Sequence, residues 1–171
     1  SLRLDPHSAR VHGSLSMELL KKGDVDLAIA SAEEALRLDP AHGPSHAILG
    51  QALVAKGEIE KALPSFEERV RLEPANPVAR YQAAWVNERA GRLDPAIEGY
   101  REAIRLKPDH AEALCNLGLI LKARKQYREA LDLLEKGHAA GSRRADWKNP
   151  SARWIDEVRA LAEGAERDGE K

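Results

Sequence analysis

His42 and His46 lie four residues apart, the spacing at which two imidazoles on one helix face share a zinc ion. Gly43-Pro44 falls between them, so the pair straddles a loop and a helix start, and semi-buried structural histidine is expected instead. Glu33-Glu34 and Glu67-Glu68 are paired carboxylates of the kind that glycoside hydrolysis uses. The apolar pattern assigns both pairs to the solvated side of a helix. Cys115 is the one cysteine, so no intrachain disulfide forms, and with no adjacent histidine it is expected to be inert packing. The sequence has no Gly-rich phosphate loop, no kinase-type Lys and Asp set, no Cys-x-x-Cys and no Gly-x-Ser-x-Gly. A non-enzymatic chain without metal or cofactor is the expectation.

Composition narrows the partners. The 171 residues are 43% hydrophobic, 32% charged and 4% aromatic, an ordered chain that leans towards helix. Lys and Arg number 27 against 28 Asp and Glu, which excludes the basic footprint of a nucleic-acid binder or a polybasic membrane anchor. No apolar run approaches the roughly 20 residues that span a bilayer, and no basic segment followed by an apolar stretch opens the sequence. No nucleic acid, no membrane insertion and a cytoplasmic location are therefore expected.

The elements that must position any site follow from a repeat. Arg-Leu-Asp-Pro ending at Pro6 recurs at Pro40, and as Arg-Leu-Glu-Pro and Arg-Leu-Lys-Pro at Pro74 and Pro108, each 34 residues on. Ala28, Ala62, Ala96 and Ala130 keep the same period, as do Leu15, Leu49 and Leu117, with Ala83 in the third unit. Gly23, Gly57 and Gly91 mark a turn where the fourth unit has Lys125. Within the second unit Leu49, Leu53, then Ile59, Leu63, Phe66 and Val70 recur at helical spacing around the break at Lys56-Gly57-Glu58. Each proline stops the second helix, and Asn76 and Asp109 stand where a side chain caps the next one. Each unit is thus a helical hairpin that buries its apolar face only by stacking on a neighbour.

This pattern resembles the tetratricopeptide repeat family, over units 9–42, 43–76, 77–110 and a divergent 111–144, with residues 1–8 as the tail of an earlier unit. Leu49-Gly50 and Leu117-Gly118 match the family's leucine-glycine pair, with Leu15-Ser16 and Ala83-Ala84 as departures. Phe66, Tyr100 and Leu134 fill the larger apolar column, reduced to Ala32 in the first unit. Arg69 replaces the small residue seen at Ala35 and Ala103, and Asn87 takes an apolar column, so local repacking is expected at both. The resemblance implies an all-α, right-handed superhelical solenoid that holds a protein or peptide segment in its concave groove.

Residues 139–149 read as a loop, followed by a capping helix that Asn149-Pro150 opens and whose apolar stripe is Trp154, Val158 and Leu161, flanked by Ile155 and Ala162. Ala165 to Lys171 are expected to fray. The segment from Gly137-His138 to Trp154, with Trp147, Pro150 and Ser151 between, is similar to a C-terminal extension of the repeat tails of some bacterial serine/threonine protein kinases. That similarity implies a non-catalytic end of a larger protein.

At 100° per residue, the second, fifth, ninth and twelfth positions of each first helix turn away from the packing face, and in this family that face lines the groove. Those columns hold Arg10, Gly13, Met17 and Leu20; Pro44, Ala47, Gln51 and Val54; Val78, Tyr81, Trp85 and Glu88; Glu112, Cys115, Leu119 and Lys122. The candidate peptide-binding residues are Met17, Ala47, Gln51, Tyr81, Trp85, Glu88, Cys115, Asn116, Leu119 and Lys122. Tyr81 and Trp85, one turn apart in a chain with three Trp, three Tyr and one Phe, either anchor a ligand or pack on the next unit. The carboxylate clamp of the chaperone-binding members has no counterpart, because Gly13, Met17, Ile48, Val78 and Gln82 stand at its places. A segment with an apolar or aromatic residue is the expected ligand. The alternative is a spacer or self-association module, joined through Leu15 and Leu19 at the truncated N-terminal face.

Overall fold

A computed structural model describes residues 6–169, so the tail assigned to an earlier repeat lies largely outside the described residues. Nine helices and no strand are present among them. The chain divides into two compact units at Arg92/Leu93. The first holds α1 (Pro6–Lys22), α2 (Val25–Leu38), α3 (Gly43–Ala55), α4 (Ile59–Leu72) and α5 (Pro77–Arg89). Each of these packs on its neighbour in sequence, and α1 also touches α3. The second holds α6 (Leu93–Leu106), α7 (Ala111–Ala123), α8 (Tyr127–Gly141) and α9 (Ser151–Gly169), with α7 between α6 and α8 and α9 laid on α8. No described helix is long and apolar enough to cross a membrane.

The repeated columns are the packing columns. Ala28, Ala62, Ala96 and Ala130 are all fully buried, and the larger residue one turn on, Phe66, Tyr100 or Leu134, is buried with them. A Cβ on Gly50 would lie 2.7 Å from the Phe66 ring, and one on Gly118 would lie 2.8 Å from Leu134. In the first hairpin, where Ala32 leaves room, the same place is taken by Ser16, whose hydroxyl donates to the Ala28 carbonyl at 2.6 Å. The outer face carries a repeated ion pair on the second helices: Glu34 with Arg37, Glu68 with Arg71 and Glu102 with Arg105. This places Glu34 and Glu68 in surface pairs rather than in an acid-base site.

The turn inside the hairpins is also periodic. Gly23, Gly57 and Gly91 have φ of 89°, 87° and 74°, and Lys125 has φ of 61°. In each case the next residue donates back five positions, as Glu58 does to Leu53 and Gln126 to Leu121, closing the helix end. A left-handed conformation costs an L-residue about 1–2 kcal/mol that glycine does not bear. Lys125→Gly is therefore expected to stabilise the second unit by about 1 kcal/mol, seen as a higher urea midpoint at unchanged slope.

Asn76 caps α5 as expected, accepting from the Val78 and Ala79 amides at 2.9 and 3.3 Å. Asp109 does not cap α7; His110 does, its Nδ1 accepting from the Ala113 amide at 3.4 Å. Burial pushes the His110 pKa below its ordinary 6.5, with Glu112 opposing. The unfolded chain then binds more protons than the folded one just below that pH, so stability is full above about 6.5 and declines as the solution is acidified. His110→Asn places the side chain that already caps α5, and is expected to keep the helix while flattening this part of the pH–stability curve.

The chain after α7 departs from expectation in three places. Helix α8 runs on to Gly141, so the loop is shorter than 139–149. The buried stripe of α9 is Ser151, Ile155 and Val158, while Trp154 is half-buried and Leu161 is exposed. Helix continues into the segment expected to fray, as far as Gly169, with residues 170–171 outside the described residues, and Arg128 pairs with Glu166 at 2.8 Å.

Candidate functional site

In the first unit, helices α1, α3 and α5 line a cavity of about 470 Å³, floored in part by α4. Its lining holds Met17, Leu20, Pro44, Ala47, Gln51 and Val78, the residues that helical geometry assigns to the groove face. Met17 and Val78 are large apolar side chains left 43% and 45% exposed. A smaller hollow of about 210 Å³ adjoins it, sharing Met17, Pro44 and Ile48 and adding Arg10, Gly13 and His42. Close approach of α1 and α3 shapes this floor, since a Cβ on Gly13 would lie 2.9 Å from Ser45 Oγ.

Column geometry misses four lining residues: Lys21, Ile48, Gln82 and Arg69. The first three flank the predicted columns on the same helices. Arg69 comes from α4, and the signal for it is its replacement of a small residue. Its side chain is 13% exposed, Nη1 donates to Gln82 Oε1, Nε lies 3.6 Å from Glu73, and Nε has no hydrogen-bond partner.

Tyr81 and Trp85 are half-buried and do not line this cavity. Trp85 leans on the core cluster of Ala62, Leu63, Phe66 and Val86, and the Arg89 guanidinium sits 5.2 Å from its ring centroid. Trp85 thus packs in part against the preceding hairpin. Glu88 is half-buried. Asn87, in its apolar column, turns its amide onto the Ala83 carbonyl at 2.8 Å.

Of the candidates of the second unit, one is corrected outright. Cys115 is fully buried, its Sγ 2.7 Å from where a Cβ on Gly137 would be. Its column is small in three units, as Gly13, Ala47 and Cys115, and all three are buried. Burial and the Glu112 carboxylate push the thiol up to about 11, so it carries almost no thiolate at neutral pH. Asn116 is half-buried and donates to the Tyr100 hydroxyl at 3.1 Å. Lys122 pairs with Glu157 of α9 at 2.7 Å, and Arg153 shares that carboxylate at 3.0 Å. Leu119 is half-buried. The seat of α9 is fixed by Ser151, whose hydroxyl meets His138 Nδ1 at 2.9 Å and accepts from Trp147 Nε1 at 3.3 Å.

The histidines considered for metal are occupied by the backbone and by serine. His42 Nδ1 lies 2.7 Å from Ser45 Oγ, and His46 Nε2 lies 2.9 Å from the Pro40 carbonyl. No group of three or more metal-ligating side chains occurs among the described residues.

Models described as tetratricopeptide repeat match residues 14–77 and 111–137, and one described as TPR repeat matches residues 89–123. No curated protein matches. Among solved structures, MamA is 25% identical over 85% of this chain and 85% of its own, with a TM-score of 0.75. PilF of Pseudomonas aeruginosa is 19% identical over 94% of this chain and 70% of its own, with a TM-score of 0.77. YrrB, described as a TPR protein with an unusual peptide-binding site, is 20% identical over 89% of this chain and 76% of its own, with a TM-score of 0.72. The matched segments, together more than half of the chain, join the 34-residue period and the paired helices in showing that this protein is built from tetratricopeptide repeats.

Proposed function

We propose that the chain is a non-catalytic protein-interaction scaffold that takes a partner segment in the α1–α3–α5 groove of its first unit. The observation that carries this reading is the cavity of about 470 Å³, whose exposed Met17 and Val78 are left unburied by the chain itself. Met17, Ala47 and Gln51 are the candidate residues that line it; in the second unit Cys115 is buried, Asn116 bonds to Tyr100 and Lys122 pairs with Glu157. YrrB, which shares the fold, supports the reading through the peptide-binding site in its description. Affinity is expected in the micromolar range, since ordering a flexible segment offsets about 2–5 kcal/mol of the contact energy.

The test is affinity selection from a library of random nonapeptides, read by mass spectrometry. Gln51 is exposed, so Gln51→Trp fills the groove without touching the core. Peptides retained by the parent chain and lost by this variant support the groove; retention that Gln51→Trp leaves unchanged would refute it.

A second reading, a spacer or self-association module of a larger protein such as the tail of a bacterial serine/threonine kinase, is favoured by one observation. Val11 and Leu15 are 56% and 48% exposed, although the residues three repeats on, Ala113 and Leu117, are 0% and 2% exposed and those one repeat on, Ser45 and Leu49, are buried and half-buried. Sedimentation of the parent beside Val11→Lys/Leu15→Lys checks it: an association lost in the variant supports self-assembly through α1, and a strict monomer at high concentration counts against it.

A further inference from the structure

The groove lining is selective in charge. Its cavity contains Lys21 and Arg69 and no carboxylate, and the adjoining hollow adds Arg10, again with no carboxylate, in a chain whose formal net charge is −1. Pro44 and Val78, in the first turns of α3 and α5, both line the cavity, and neither first turn contains an acidic residue. Two helix N-termini thus add their positive ends to the rim.

Arg69 is the unusual member. Its 34-residue counterparts are Ala35, Ala103 and Gly137, all buried and all small, so packing does not call for a guanidinium. Gly43 makes room for the Glu73 carboxylate, since a Cβ there would fall 2.1 Å from Glu73 Oε1. Yet the guanidinium is incompletely served. Glu73 is its ion-pair partner, but at 3.6 Å from Nε it is beyond hydrogen-bond distance and accepts from Asn76 at 2.5 Å; Gln82 is a neutral acceptor, and the buried Nε has no hydrogen-bond partner. A desolvated cation short of acceptors, at the edge of an apolar cavity, is complementary to an anion. Lys21, paired with Glu18 at 2.7 Å where both are more than 60% exposed, can exchange that weak partner for another carboxylate.

We propose that the segment bound in this groove carries an internal Asp or Glu beside an apolar residue, with Arg69 as receptor for the carboxylate and Met17 and Val78 as the apolar wall. This rests on the groove reading above and names the class of its ligand. An internal carboxylate is favoured over a chain terminus because the cavity continues into the adjoining hollow past Met17, Pro44 and Ile48, leaving a path for the chain. The site differs from the carboxylate clamp considered from sequence in that the cation comes from the second helix of a hairpin.

The test uses two terminally blocked nonapeptide libraries, one with a central Glu and one with a central Gln, the other positions drawn from Ala, Leu, Phe and Ser. Free-acid versions of the Gln library form a third arm. The full chain is expected to retain the Glu library about tenfold more than the Gln library, and added salt is expected to erode that preference. Arg69→Met, of similar length and without charge, is expected to abolish the preference, and Arg69→Lys to keep part of it; helical content and urea midpoint establish that both fold. Equal retention of Glu and Gln peptides, lost in Gln51→Trp, would overturn the carboxylate assignment while leaving the groove standing. Retention of neither library would overturn both. Preference confined to the free-acid arm, or surviving Arg69→Met, would overturn the internal carboxylate or the receptor respectively.

Discussion

Phe66→Ala is expected to destabilise the first unit by about 3–5 kcal/mol, and Gly50→Ala is expected to change sign in its presence. Phe66 is 1% exposed at the centre of the cluster with Ala62, Leu63 and Val86, so truncation removes a ring whose space the surrounding helices close only in part. Gly50 sits under that ring, and a Cβ there would lie 2.7 Å from Cε2 and 2.8 Å from Cζ. Alone, Gly50→Ala overpacks this contact at a cost of about 1–3 kcal/mol. With Phe66→Ala already made, the obstruction is gone and the helix propensity of alanine over glycine, about 1 kcal/mol, is what remains. The chain contains this swap already, because the first hairpin pairs Ser16 with a fully buried Ala32. Urea unfolding of the four chains in the double-mutant cycle measures the coupling. A Gly50→Ala cost that is equal in both backgrounds would show that the ring is not what requires glycine.

The second large effect belongs to α9. Val158 is fully buried, at 0% relative exposure, and Val158→Asp places a carboxylate on the buried face of α9. An unpaired buried charge is expected to cost about 3–5 kcal/mol, and α9 has a cheaper way out than global unfolding, which is to detach. Amide exchange in residues 151–169 is then expected to rise to that of a frayed helix, while α1–α5 keep their protection. The Lys122–Glu157 and Arg159–Glu135 pairs do not hold α9 without the apolar stripe, since pairs at this exposure contribute little singly. Unchanged exchange in α9 would mean that these ion pairs, not Val158, fix the helix.

Much of the fold is periodic in the sequence and was legible there. The alanine column, the glycines of the turns, and the Phe66, Tyr100 and Leu134 column each report a steric requirement that recurs every 34 residues, so one residue type repeated at one spacing identifies one contact. That Met17, Ala47, Gln51 and Val78 share one face, where they line the cavity of the first unit, followed from the same helical geometry.

Where residues break the period, the sequence marked the place without giving the outcome. His110, not Asp109, caps α7: it stands 34 residues after Asn76 and accepts from the amide three positions on, as Asn76 does. Arg69 stands out as an exception in its column, but only packing decides that its guanidinium runs to the cavity and stops short of full satisfaction. Cys115, Asn116 and Lys122 occupy positions that a repeat exposes, and they are buried, tied to Tyr100 or paired with α9 by contacts between residues 16 or more apart. A repeat specifies short-range geometry through its own period. Which face a neighbouring helix covers depends on side chains elsewhere in the chain, and that information exists only once the helices are packed.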